Sequence, residues 1–377
     1  MRSQASANRI RVRSSDRSDP WIIALTLLFM AIGAMFVLDT TYFFSQRTYG
    51  DGYRMVAKHL VSIVIGGILA IGFSRCRSDV MEKLARPALL VAAALLFLPL
   101  VPGVGSCTKG ACRWVTLGPL NIQPAEIAKT AFVIYMADFL TRRGNELRDW
   151  RHGLLPTLAT MGALGAILLL QPDFGSAVLI GIIGMVMMFL AGVPLYQLLL
   201  ISVPAIGGAG LLILFEPYRV RRFLCFLDPE QDPAGACYQV VQSSRTFGSG
   251  RVWGEGLGNS IQKTGYLPEA HTDFIFSVIG EEMGLIGAVC VLLCFCLLAY
   301  RGFRVAHRHP DMFGQLLAAG VTFALIAQAL INMGVVLGLL PTKGLVLPFF
   351  SYGGSSMMMS LACIGILMSL SRELRER

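Results

Sequence analysis

The sequence predicts an all-α integral membrane protein of about ten transmembrane helices, with a large outside loop between the seventh and the eighth. Two observations carry that expectation. Of 377 residues, 55% are hydrophobic and only 15% charged, the mean hydropathy is +0.63, and the apolar residues gather into runs of the ~20 that a bilayer crossing needs. The cations, in turn, concentrate in alternate loops, as the positive-inside rule requires.

Apolar runs begin near Trp21, Val56, Pro87, Pro124, Leu154, Phe174, Pro194, Phe274, Phe313 and Gly354. With the basic tail (Arg2, Arg9, Arg11, Arg13, Arg17) inside, the predicted inside loops carry Arg75, Arg77, Lys83 and Arg86, then Arg142, Arg143, Arg148 and Arg151, then Arg301, Arg304 and Arg308. Arg372, Arg375 and Arg377 close the chain. Both termini are therefore expected in the cytoplasm: a basic tail over 1–20, one polytopic domain over 21–372 with an outside loop over about 216–273, and a short tail over 373–377. The first apolar run is long and lacks a small-residue cleavage site, so it reads as an uncleaved span. The net charge of +9 is a topology signal and implies no nucleic-acid partner.

Nine cysteines divide by side. Cys107 and Cys112 share one outside loop and Cys225 and Cys237 another. Cys290, Cys294, Cys296 and Cys363 lie in spans, where they read as small core residues, and Cys76 faces the cytoplasm. Disulfides persist on the outer face, so two local bridges, Cys107 to Cys112 and Cys225 to Cys237, are open to the chain. So are free thiols at all four positions, since spacing does not settle connectivity.

Three motif-dense segments fall on the outside: residues 102–123 leading into QPAEIAK, residues 216–273, and residues 338–353 reading GLLPTKGLVLPFFSYG. In LPEAHTDFIF, Asp273 stands where polar His271 and Thr272 meet an apolar run. A carboxylate there is partly desolvated, which suits a general base toward a hydroxyl. The same HTD pattern is also a helix cap, with the acid at the positive end of the dipole. Residue chemistry leaves both open. Glu126 and Lys129 follow Pro124 at helical spacing and can pair on one face, as a structural ion pair or as part of a site. Arg113 lies just upstream, and its guanidinium suits phosphate.

Glu281 and Glu282 lie about two turns into the following span, and intramembrane carboxylates are functional suspects by default. Gln171 and Asp173 mark a polar break between two spans, which is tolerated only in protein or along a cavity. In the third segment Lys343 precedes SYGGSS, where Gly353 and Gly354 permit close approach, Ser355 can cap the last helix, and Ser351 is a further polar candidate. Free amides at that helix start could hold an anion beside Lys343; a plain turn is the alternative. The glycine-rich GSGRVWGEGLGNS fits neither a P-loop nor a dinucleotide fingerprint. The five histidines are scattered, no zinc pattern is visible and no GxSxG occurs. Carboxylates facing outward at the bilayer edge remain as candidate catalysts, for an amphipathic or lipid-linked substrate.

RWVTLGPLNIQPAEIAK, QPDFG, GLGNSIQKTGYLPEAHTDFIFSVIGEEMG and LPTKGLVLPFFSYGGSS together resemble the shape, elongation, division and sporulation (SEDS) membrane proteins, from about residue 55 onward. Within that family the motifs are more similar to division members than to elongation members. The resemblance implies a ten-helix peptidoglycan glycosyltransferase that polymerises lipid II on the outer leaflet at the septum. It further implies a class B penicillin-binding protein and other division proteins as partners. It maps the catalytic aspartate to Asp273 and the functional glutamate and lysine to Glu126 and Lys129, with Arg113 and Trp114 just before them. His271, Lys343, Ser351 and Ser355 are then expected to contact substrate.

Two departures stand out: the first span reads VLDTTYFF where the family often has a serine–alanine–serine signature, and the outside cysteine pairs are not a family feature. On the implied mechanism Asp273 takes a proton from the acceptor 4-hydroxyl, and Arg113, Lys129 and Lys343 stabilise the pyrophosphate leaving group. No covalent cofactor is expected. Any divalent cation, magnesium or manganese, would be held mainly by the pyrophosphate, since no protein metal cage is visible. A lipid II flippase using Glu281 or Glu282, or a non-catalytic division scaffold, are the alternatives.

Overall fold

A computed structural model describes residues 18–108, 111–118, 120–260 and 262–374 of the chain. The arginines of the expected basic tail, up to Arg17, and residues 375–377 lie outside the described residues. The helices are α1 (Pro20–Tyr49), α2 (Arg54–Arg75), α3 (Ser78–Phe97), α4 (Pro124–Arg143), α5 (Leu155–Leu170), α6 (Phe174–Leu190), α7 (Leu195–Leu214), α8 (Pro217–Leu227), α9 (Tyr238–Ser249), α10 (Ile275–Arg308), α11 (Met312–Val336) and α12 (Gly354–Arg372). Each expected span is one of these helices. Eight are long and apolar enough to cross a membrane. The other two are α6, which is short at 17 residues, and α4, which carries Glu126, Lys129 and Asp138 along its length.

Nine of the ten starts fall within two residues of the expected position. The exception is α3, which begins at Ser78 and not near Pro87. Its first turns are polar and hold Asp79, Glu82 and Lys83, so hydropathy locates only the apolar part, while the proline is accommodated within the helix. Two features had no sequence expectation. An antiparallel sheet runs in the order β1 (Gly105–Thr108), β2 (Ala111–Leu117), β3 (Leu120–Ile122), with Cys107 opposite Cys112 and Val115 opposite Ile122. The long segment between α7 and α10 is built around the two short helices α8 and α9. Both loop cysteine pairs are disulfide-bonded, Cys107 to Cys112 across β1 and β2, and Cys225 to Cys237 between α8 and α9.

The interior is centred on α4, α11 and α12. The apolar window of α12 is 83% buried and that of α11 72%, whereas that of α7 is 11% buried. Leu199, Val203, Ile206 and Leu214 on α7 are all exposed, the pattern of a helix facing lipid. Helices α2 and α12 meet along small residues: a side chain on Gly66 would strike Leu361 and Met358, and one on Gly365 would strike the Ala70 backbone. Phe29 of α1 stacks on Phe295 of α10 and on Phe349, at centroid distances of 4.6 and 5.5 Å.

The sheet, α8, α9 and the segments 262–274 and 337–353 lie at one end of the bundle. At the opposite end, Arg301 pairs with Asp19, Ser78 donates to Glu373, and Arg142 pairs with Asp138.

Candidate functional site

The segment before α10 turns back on itself: Thr272 and Phe274 donate their amides to the Glu269 carbonyl at 3.1 and 3.3 Å. Glu269 itself takes a left-handed φ of 58°, a conformation held only where its surroundings demand it. The N-cap position of α10 falls on Phe274, which makes no side-chain cap hydrogen bond. Asp273 therefore stands just before the N-cap position and not at it. Asp273 lies one residue earlier, partly buried, and its backbone carbonyl accepts from Asn332 Nδ2 at 2.8 Å. The same Nδ2 donates to the Leu345 carbonyl at 2.7 Å. Asn332 thus ties the aspartate to the 342–350 segment. A Cβ added to Gly344 would sit 3.4 Å from Asp273 Oδ2, so carboxylate and glycine backbone are near neighbours.

Ser351 secures the same junction from the other side. Its hydroxyl donates to the Thr272 carbonyl at 2.6 Å and accepts from the Leu347 amide at 2.8 Å, and the Tyr352 amide donates to the His271 carbonyl at 2.8 Å. Ser355 does not cap α12, whose N-cap is Gly353. It accepts from the Gln123 amide at 2.8 Å and donates to the Asn121 carbonyl at 3.2 Å, joining the sheet to the start of α12.

Between these elements lies a cavity of about 230 Å³, lined by Lys58, His59 and Ser62 of α2, by Ser106, Trp114 and Asn121 of the sheet, by His271 and Thr272, and by Tyr352 to Gly354. Trp114 and His271 are the two expected substrate contacts that line it. Burial pushes the His271 imidazole below its usual range, with Glu269 acting in the opposite sense, and pushes the Tyr352 phenol up.

The other expected residues divide. Lys343 is half-buried, its ammonium disfavoured by burial, and its Nζ stands 5.2 Å from the centroid of the Phe174 ring. Arg219 of α8 lies over the same ring at 5.3 Å, and Arg222 donates to the Thr342 carbonyl at 3.3 Å. Arg113 donates to the carbonyls of Gln171 and Pro172. Asp173 caps α6, accepting from the Ser176 amide and hydroxyl at 3.2 and 2.8 Å, while Gln171 donates to the Leu96 carbonyl.

Glu126 and Lys129 pair as expected at 2.8 Å, and Lys129 also donates to Gln328 Oε1 at 2.6 Å. This pair lines a separate small space of about 30 Å³ between α4, α11 and α12. Gln328 carries its influence onward by donating to the Val346 carbonyl at 3.0 Å. Gln328 and Asn332, one turn apart on α11, therefore anchor the whole 342–350 segment. Sequence reading missed both. The signal available was their position as amides within an apolar span.

Glu281 and Glu282 do not line the 230 Å³ cavity. Glu282 accepts from the amides of Gly258 and Ser260 at 3.0 and 3.2 Å and from Lys263 Nζ at 3.0 Å, and Glu281 accepts from the Ser260 hydroxyl. Lys263 also pairs with Asp39 of α1 at 2.6 Å, so the departure VLDTTYFF supplies one partner of this cluster. The glycine-rich segment that matched no fingerprint packs against α10 where the helix breaks at Gly284, φ 66°. There the amides of Leu285 and Ile286 donate to the carbonyls of Arg251 and Val252, and those of Glu255 and Gly256 donate to the carbonyls of Glu281 and Glu282. Among the described residues, no group of three or more histidine, cysteine or acidic side chains could hold a metal ion.

Comparison with known proteins places the chain among relatives. A sequence profile for cell cycle proteins of the FtsW, RodA and SpoVE type matches residues 20–376. A probable peptidoglycan glycosyltransferase FtsW of Geobacter sp. (strain M18) is 39% identical, covering 97% of this chain and 99% of the relative. That of Escherichia coli O157:H7 is 40% identical, covering 95% and 86%. Among solved structures, a chain from a peptidoglycan synthase complex that coordinates polymerization and crosslinking superposes with a TM-score of 0.76 at 32% identity, covering 94% of this chain and 98% of that one. The rod shape determining protein RodA of Thermus thermophilus gives 0.70 at 27%, covering 96% and 98%. The chain belongs to the FtsW, RodA and SpoVE family of cell cycle proteins.

Proposed function

We propose that the protein is a peptidoglycan glycosyltransferase of the division type, which polymerises lipid II at the outer face of the bacterial cytoplasmic membrane with Asp273 as general base. The observation that carries this reading is the placement of the Asp273 carboxylate beside Gly344, adjoining Lys343, with both segments tied to Asn332. A base must be held within reach of the proton it takes. Here the base is held against the backbone of Gly344 and follows His271 and Thr272, which line a sugar-sized cavity.

In the step envisaged, the carboxylate removes the proton of the acceptor 4-hydroxyl. That oxygen bonds to the donor's anomeric carbon with inversion, and the bond from that carbon to the pyrophosphate oxygen breaks. Charge developing on the leaving pyrophosphate calls for fixed cations; Lys343 and Arg219 meet at Phe174, the start of α6, and Arg222 is held at the Thr342 carbonyl beside Lys343. The ion pair of Lys129 with Glu126 instead supports the scaffold behind the 342–350 segment. Any divalent cation would be held mainly by the lipid pyrophosphate. Alternating loop charge supports cytoplasmic termini and an outward-facing site. The likeness to a chain of a peptidoglycan synthase complex supports a class B penicillin-binding protein as partner.

Purified full-length protein with that partner, given lipid II, is expected to make glycan strands visible on a gel. Asp273→Asn, folding normally, is expected to lower the rate by about 10²–10⁴-fold, the usual contribution of a general base. Polymerisation by that variant at the wild-type rate would remove Asp273 from the chemistry. A flippase would show a phenotype only in sealed vesicles, and the containment of Glu281 and Glu282 by fixed donors leaves that reading without its motivating residues.

A further inference from the structure

One buried polar side chain at the cavity has no role in the scheme above. His59 of α2 is 1% exposed, and neither ring nitrogen has a hydrogen-bond partner among the described residues. Buried polar groups are nearly always paired, because an unpaired one forfeits its hydration without return. The surroundings offer no relief. Ser62, one turn on, donates its hydroxyl to the Lys58 carbonyl at 3.0 Å, and the nearest ring, Tyr352, lies 6.1 Å away between centroids. Yet His59 lines the cavity of about 230 Å³, far above the ~10–15 Å³ that a single water requires. The space beside the imidazole is therefore large enough for more than one water.

The chemistry of the walls narrows what that is. Trp114 and Tyr352 present aromatic faces, Asn121 and Ser106 supply neutral donors and acceptors, and Lys58 is the one charged residue of the lining, with no carboxylate. Aromatic surface combined with neutral hydrogen-bonding groups suits a pyranose ring, apolar on its faces and bearing hydroxyl and amide groups at its rim. A neutral imidazole both donates and accepts, so it can bridge a hydroxyl and an acetamido group where a lysine or a carboxylate could not.

We infer that His59 is a sugar-recognition residue, hydrogen-bonding an N-acetylated hexose of the lipid-linked substrate within this cavity. The inference rests on the proposed glycosyltransferase reading and deepens it: Asp273 acts at the reacting atoms, while His59 recognises the sugar.

The test uses full-length protein carrying Asp273→Asn, so that ligand binds without turnover, and two probes: lipid II, and undecaprenyl pyrophosphate, which lacks the sugars. Adding His59→Leu is expected to weaken lipid II binding about tenfold and leave undecaprenyl pyrophosphate within twofold. His59→Gln, which keeps a donor and an acceptor, is expected to recover most of the loss. The thermal midpoint of the His59→Leu protein should not fall, because the replaced ring makes no hydrogen bond to lose; a merely structural histidine would show the reverse, a lower midpoint with unchanged affinity. Equal loss for both probes, or lipid II affinity unchanged in His59→Leu, overturns the assignment. If protein with His59 intact binds no lipid II at all, the glycosyltransferase reading itself falls, and the two failures are thereby distinct.

Discussion

His271 shows how one residue can be legible in type and illegible in state. Its place beside Asp273 singles it out from sequence, but its titration depends on burial, which only the fold supplies. Burial lowers its pKa from the ordinary 6.5, and Glu269 offsets part of that. In the window between the lowered value and 6.5 the unfolded chain binds more protons than the folded one. Stability therefore rises with pH through this window, and is lost as the pH falls below 6.5. Thermal midpoints measured from pH 7.5 down to 5.5 should fall, and His271→Asn should flatten that fall; an equal slope in the variant would exclude His271 as the source. Asp273, Trp114 and Lys343 could be named in advance because their motifs are local. His59, Gln328 and Asn332 could not. Each is a lone polar residue in an apolar run, and its meaning comes from partners, or from a cavity, distant in sequence.

The element that sequence reading valued least, residues 248–260, turns out to be structural. Its glycine-rich composition matched no ligand-binding fingerprint, and the fold uses it to satisfy the backbone of a broken helix. Backbone amides and carbonyls freed by a helix break need partners, and here residues 251–256 pair with residues 281–286 of α10. Close approach requires glycine: a Cβ at Gly254 would fall 2.2 Å from the Glu282 carbonyl oxygen, and one at Gly284 would lie 2.4 Å from Gly254 N. Gly284→Ala is accordingly expected to cost at least ~1–3 kcal/mol from its left-handed φ, before any clash, and to lower the thermal midpoint of the purified protein. An unchanged midpoint would mean that α10 can straighten and release the segment. Spans were read well because ~20 apolar residues are a count. The α10 break was not, because a single glycine in a span carries no mark of its φ.

At the scale of the whole molecule, α1, α10 and the 258–263 segment are joined through one buried cation. Lys263 is 6% exposed and pairs with Asp39 and Glu282 at 2.6 and 3.0 Å, while Glu281 is held next to them by Ser260. Removing one member of a buried charge group leaves its partners uncompensated, at about 3–5 kcal/mol. Lys263→Met should therefore destabilise the fold as a unit, read as a lower midpoint in detergent, and Asp39→Asn in the same chain should recover part of it. No recovery would mean that the aspartate is not a working partner.

The disulfides have a consequence for how the chain is made. Four cysteines allow three pairings, but these bridges close only 5 and 12 residues, each within a single loop. Either can close without waiting for any other part of the chain to fold, since both partners of each bridge lie in one short stretch. The five remaining thiols are Cys76, at the far end of the bundle, and Cys290, Cys294, Cys296 and Cys363, inside helices. The native pairings are thus the most local ones the chain offers, and the other five thiols lie elsewhere in the fold.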